Sequence, residues 1–148
     1  MKINKIAIIG LGYVGLPLAV SLCKSFKVFG LDINTKRIRE LKSGKDSTHE
    51  VSSVNLKKSM NTNLEITSEK DGLSNCNIYI VTVPTPVTKL NKPDFSYLRN
   101  SCKMIGSRMK KHSIIIFEST VYPGATQDIC GKEIEKASGM IMEKDFFL

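Results

Sequence analysis

The chain has 148 residues, 41% of them apolar, with ten glycines, five prolines and no tryptophan. That is enough for one domain of common size, and the composition excludes a disordered or collagen-like chain and a mini-protein that needs staples. Its 22 Lys and Arg against 14 Asp and Glu give a net charge of +8, which favours an anionic partner.

The positive charge is spread out, with local clusters at Lys36, Arg37 and Arg39, at Lys57 and Lys58, and from Arg108 to Lys111. No block resembles a nucleic-acid-binding tail, and the scattered Phe and Tyr offer no stacking platform, so nucleic acid is not the expected partner. Cys23, Cys76, Cys102 and Cys130 stand far apart without Cys-X-X-Cys spacing. No metal is expected, and free buried thiols point to a reducing, cytoplasmic compartment. From Ile6 to Cys23 there is no charge, so a secreted or membrane-anchored basic protein is the main rival reading. Three glycines and Pro17 interrupt that run, and Leu22 precedes Cys23 where a lipoprotein site needs a small residue. No membrane association is therefore expected.

Ile6–Ile9 is a short apolar run ended by Gly10, the pattern of a strand buried on both faces. Leu18, Ala19, Leu22, Cys23 and Phe26 then recur at helical spacing, and Pro17 falls in the first turn, where it removes no intrahelical bond. Lys27–Leu31 reads as a second strand and Thr35–Leu41 as a polar helix stopped near Gly44. Val51–Met60 reads as a helix and Leu64–Ile66 as a short third strand. Ile78–Val83 is the fourth strand, halted by Pro84 and Pro86, and a long loop follows to Pro93.

Asp94 caps a helix carrying Leu98, Cys102, Ile105 and Met109. Ser113–Phe117 is the fifth strand, Thr120–Gly124 a turn, and Ala125–Ala137 a helix closed by Gly139. Asp145–Leu148 resembles a strand just beginning. Strands alternating with helices predict an α/β fold: a Rossmann-type, doubly wound parallel sheet in three layers, truncated at its C-terminal end, with residues 1–148 as one dinucleotide-binding domain.

Gly10, Gly12 and Gly15 form Gly-X-Gly-X-X-Gly between the first strand and the first helix. The first glycine allows a tight turn, the second admits a pyrophosphate to the backbone, and the third lets helix and strand approach; Tyr13 and Val14 supply further main chain. Asp32, 20 residues past Gly12 at the end of the second strand, suits an adenosine ribose and would repel a 2′-phosphate, favouring NAD over NADP. Arg37, in the following helix, stands near enough in sequence to touch the adenosine, with an ordinary surface helix charge as the other reading. The ends of the fourth and fifth strands, Val83, Pro84, Thr85, Ser119 and Thr120, should also meet the dinucleotide.

Gly10–Ala19 (GLGYVGLPLA), Val83–Val87 (VPTPV) and Glu118–Thr126 (ESTVYPGAT) together resemble the N-terminal domain of the UDP-glucose/GDP-mannose dehydrogenase family, in the same order and spacing. The likeness covers nearly the whole chain. Glu-Ser-Thr-Val-Tyr-Pro-Gly is most similar to the branch that oxidises UDP-N-acetylhexosamines for surface polysaccharides, as in the Vi-antigen and O-antigen enzymes.

The resemblance implies a complete enzyme that oxidises C6 of a UDP-sugar from alcohol to carboxylate with two NAD, through a thiohemiacetal on a cysteine. It implies cofactor contacts at Gly10, Gly12, Tyr13, Val14, Gly15, Asp32, Arg37, Thr85 and Thr120, and gives Thr120 a further role in positioning a water beside the reacting carbon. None of the four cysteines has the setting of the family's nucleophile, which lies in a later domain. This chain alone is thus expected to bind NAD without turnover, and the full-length enzyme to form a homodimer. An isolated Rossmann domain acting as a regulatory dinucleotide binder is the other reading.

Overall fold

A computed structural model of the chain describes residues 5–88, 91–119 and 126–148. Six strands form one parallel sheet: β1 (Ile6–Ile9), β2 (Val28–Leu31), β3 (Leu64–Thr67), β4 (Ile78–Val81), β5 (Ser113–Phe117) and β6 (Phe146–Phe147). Their spatial order is β3-β2-β1-β4-β5-β6, the doubly wound arrangement whose order reverses between β1 and β4. Ile9 is in register with both Leu31 and Val81, and Val81 with Phe117. Level strand ends bring Gly10, Asp32, Thr82 and Glu118 to one edge of the sheet.

Alternation along the strands divides the core into two layers. On one face Ile6, Ile8, Val28 and Ile80 meet α1 (Gly15–Leu22), α2 (Thr35–Lys42) and α3 (Ser53–Met60) through Leu16, Ala19, Ile38, Leu41 and Leu56. On the other, Ala7, Phe29, Tyr79 and Ile115 meet α4 (Ser96–Gly106) and α5 (Lys132–Ser138) through Leu98, Cys102, Ile105 and Ile134. The uncharged Ile6–Cys23 stretch is thereby split between β1 and an eight-residue helix. No helix among the described residues is long and apolar enough to cross a membrane.

Several elements differ from the sequence reading. β4 stops at Val81 rather than Val83, because Pro84 lacks an amide and restricts the backbone of Val83 before it. A 3₁₀ turn at Asp71–Asn75 was not foreseen; it seats buried Leu73 under the sheet, and the Tyr79 hydroxyl donates to the carbonyls of Leu73 (2.8 Å) and Cys76 (3.1 Å). The helix expected over 125–137 is composite, a π-helix at Thr126–Gly131 followed by α5. A Cβ on Gly131 would lie 2.6 Å from the Met142 sulfur, so the widened turn packs closely there. The turn expected at Thr120–Gly124 lies outside the described residues.

Candidate functional site

At the carboxyl edge of the sheet, the loop from β1 to α1 is drawn tight by three separate constraints. Gly10 sits at φ +96°, a conformation costly for any residue with a Cβ, and its amide donates to the Leu31 carbonyl at 2.8 Å. A Cβ on Gly15 would stand 1.9 Å from the Gly10 carbonyl oxygen and 2.4 Å from Thr82 Oγ1. Thr82 Oγ1 donates towards the carbonyls of Gly10 (2.8 Å) and Ile9 (3.1 Å), tying β4 to the turn.

Gly12 is the opposite case. A Cβ there would meet nothing within 4 Å, so the backbone at this residue faces open space. Leu16 N donates to the Gly12 carbonyl at 3.2 Å as α1 begins, while the amides of residues 12–15 have no acceptor among the described residues. Unsatisfied amides at a helix mouth, with space in front of them, form a cradle for an anion. Tyr13 and Val14 are exposed beside it.

Asp32, at the end of the neighbouring strand β2, holds the loop from the same side of the cleft. Its Oδ2 accepts from Leu11 N at 2.9 Å and its Oδ1 from Asn34 N at 2.8 Å. Asn34 in turn caps α2, accepting from Lys36 N and Arg37 N. Each carboxylate oxygen keeps a second lone pair, so Asp32 can still accept from two hydroxyls of a sugar. The cleft measures about 1130 Å³ and is lined by Gly10, Gly12, Asp32, Thr82, Val83 and Pro84 on the sheet side.

The other predicted residues fall elsewhere. Ser119 Oγ donates to the Val83 carbonyl at 2.6 Å, joining the ends of β5 and β4. Thr85 is half-buried in the loop after β4. Thr120, the candidate for water positioning, lies outside the described residues. Arg37 is 9% exposed, with Nε on the Leu11 carbonyl (2.9 Å), Nη1 on Glu40 (3.0 Å) and Ser47 (3.3 Å), and Nη2 on Asp46 (2.8 Å). Those donors are turned to the protein's own acceptors. Burial opposes the charge on Asp46, but the Thr48 hydroxyl, Arg37 and the amides of Val51 and Thr48 outweigh it and hold the carboxyl far below its usual range.

The opposite wall was not foreseen. Ser96, Asn100, Lys103 and Ser107 on or just past α4 line the cleft, together with Asn34 and Lys70. Their spacing of i, i+4, i+7 and i+11 matches that of the apolar stripe on the same helix, so a signal was present in the sequence. All four cysteines are free and buried. Burial pushes Cys76 up to about 11, and hydrogen bonding to Cys130, with burial, raises Cys102 well above the ordinary thiol range.

Residues 4–148 match the UDP-glucose/GDP-mannose dehydrogenase family, NAD binding domain. The UDP-N-acetyl-D-glucosamine 6-dehydrogenase of Pseudomonas aeruginosa is 48% identical over 147 residues, covering 99% of this chain and 34% of that protein. The Salmonella typhi enzyme of the same name is 44% identical over 144 residues, 97% of this chain and 33% of that protein. Among solved structures, a UDP-D-ManNAc dehydrogenase from Pyrococcus horikoshii superposes with a TM-score of 0.88 at 31% identity, covering 96% of this chain and 34% of that one. A GDP-mannose dehydrogenase from Pseudomonas aeruginosa gives a TM-score of 0.88 at 28% identity, over 95% of this chain and 34% of that one. The chain spans about a third of the length of these relatives.

Proposed function

The chain belongs to the UDP-glucose/GDP-mannose dehydrogenase family, whose NAD-binding domain it matches, and from that premise we propose that it is the cofactor-binding part of a nucleotide-sugar 6-dehydrogenase. NAD is its cofactor. When bound, NAD supplies a hydride acceptor for an alcohol carbon.

The observation that carries this reading is the pairing of an open backbone at Gly12 with the Asp32 carboxylate on the same loop. The amides of residues 12–15 would hold the pyrophosphate, and Asp32 the adenosine ribose. A carboxylate at that place repels a 2′-phosphate and so selects against NADP. Val83, Pro84 and Thr85 would border the nicotinamide half, with Ser119 fixing the ends of the two strands. Thr120 would position a water beside the reacting carbon.

We assign the substrate of the whole protein to the UDP-N-acetylhexosamines, oxidised at C6 from alcohol to carboxylate with two NAD. Relatives 44% and 48% identical, named for UDP-N-acetyl-D-glucosamine, support that choice. Burial of all four thiols supports the view that none of them is the nucleophile and that these 148 residues bind NAD without turnover. Homodimerisation and a cytoplasmic location belong to the same proposal.

Titration of the chain with NAD and NADP, followed calorimetrically, tests it. Saturable NAD binding with weaker NADP binding is expected. Silence toward both, or a preference for NADP, would overturn the assignment.

A further inference from the structure

Behind the glycine loop, among residues that do not line the cleft, lies a charge cluster that the proposed chemistry does not use. Asp46 is its hub. Its side chain is fully buried, and it accepts from Arg37 Nη2 (2.8 Å), Thr48 Oγ1 (2.7 Å) and the amides of Thr48, Glu50 and Val51 (3.0 Å each). Arg37 carries this cluster to the loop, because its Nε donates to the Leu11 carbonyl at 2.9 Å. Leu11 is therefore clamped twice, its amide by Asp32 and its carbonyl by Arg37.

The second clamp has a geometric consequence. The Leu11 carbonyl and the Gly12 amide belong to one planar trans peptide, in which C=O and N–H point to opposite sides. A carbonyl held by Arg37 on the protein side turns the Gly12 amide outward, where the space around Gly12 is open and no acceptor occupies it among the described residues. Arg37 cannot hold that pose alone. Its remaining donors are fixed by Asp46, Glu40 and Ser47, and an arginine released from a buried carboxylate would leave an unpaired charge on both sides.

We propose that Asp46, acting through Arg37, is a positioning residue for the pyrophosphate cradle: it fixes the peptide between Leu11 and Gly12 so that the Gly12 amide is presented to the cofactor. This rests on the NAD reading above. It gives Arg37 a role through the main chain rather than by direct touch on the adenosine, and it assigns a function to the otherwise weakly patterned segment between α2 and α3.

The test compares NAD with adenosine, a ligand that engages the Asp32 side but has no phosphate. Wild type, Asp46→Asn, Arg37→Met and the double variant are titrated with both, and melting curves confirm folding. Asp46→Asn should raise the NAD dissociation constant about tenfold, the worth of roughly one charge-assisted hydrogen bond. Adenosine affinity should change less than twofold, and the double variant should be no weaker than Arg37→Met alone. In amide-resolved NMR spectra, the NAD-induced shift of Gly12 should shrink in each variant.

Folded variants that keep NAD affinity within twofold overturn the proposal. So does an Arg37→Met that loses NAD and adenosine equally while Asp46→Asn loses neither, since that pattern means direct contact. If Asp46→Asn fails to fold, Asp46→Glu and Arg37→Lys carry the same comparison. A wild type that binds neither ligand refutes the NAD reading instead.

Discussion

The two halves of the sheet reach the same edge by different means. In the first, β1 to β3, the site is clamped by charge: Asp32 on two amides, Arg37 on a carbonyl, and Asp46 behind it. In the second, β4 to β6, the strand ends are joined by neutral hydroxyls, Thr82 to the Gly10 carbonyl and Ser119 to the Val83 carbonyl. Charge-assisted bonds are stronger and more directional than neutral ones. The half proposed to grip the adenosine diphosphate is thus held by charge-assisted bonds, and the half proposed to border the reacting end by neutral ones.

Substitutions should separate the halves in order of size. Gly15→Ala should do the most damage, because its Cβ would collide with the Gly10 carbonyl oxygen at 1.9 Å, which is backbone and cannot swing aside. A loss of about 3 kcal/mol in chemical denaturation, with NAD binding abolished, is expected. Asp32→Ala removes the clamp on Leu11 and the carboxylate proposed to accept from the sugar, and should weaken NAD by about 3 kcal/mol in calorimetry, roughly a hundredfold.

Acid comes next. Asp46 stays ionised in the folded chain far below its ordinary 3.8, so the unfolded chain takes up its proton first. The stability it contributes is complete above about pH 4 and is lost as pH falls below that. Melting temperature should drop on acidification through this range, and less steeply in Asp46→Asn. The smallest effect belongs to the second half: Gly139→Ala, at φ +70° but with nothing within 4 Å of a Cβ, should cost about 1 kcal/mol of stability and leave NAD affinity unchanged.

Main-chain geometry was legible wherever residue type dictates it. The apolar runs located β1, β2 and β4 because burial on both faces needs uninterrupted hydrophobic residues, and the glycine spacing located the cradle because only glycine fits at φ +96° or against the Gly10 carbonyl. Side-chain networks were less legible. No motif marks Asp46, since its partners are the amides of Thr48, Glu50 and Val51, the Thr48 hydroxyl and an arginine nine positions before it. The 3₁₀ turn at Asp71–Asn75 leaves no signal in the sequence because Leu73 is its lone buried side chain, too short a pattern to show a period. The polar wall of α4 has the same helical spacing as its apolar stripe and is equally visible in the sequence.

The concealment of every thiol leaves the molecule with a chemically quiet background for alkylating reagents. Tyr13, 69% exposed beside the open backbone of Gly12, is then a convenient place for a single introduced sulfhydryl. Maleimide should modify Tyr13→Cys alone, and slower labelling in the presence of the dinucleotide would turn that one position into a direct reporter of occupancy.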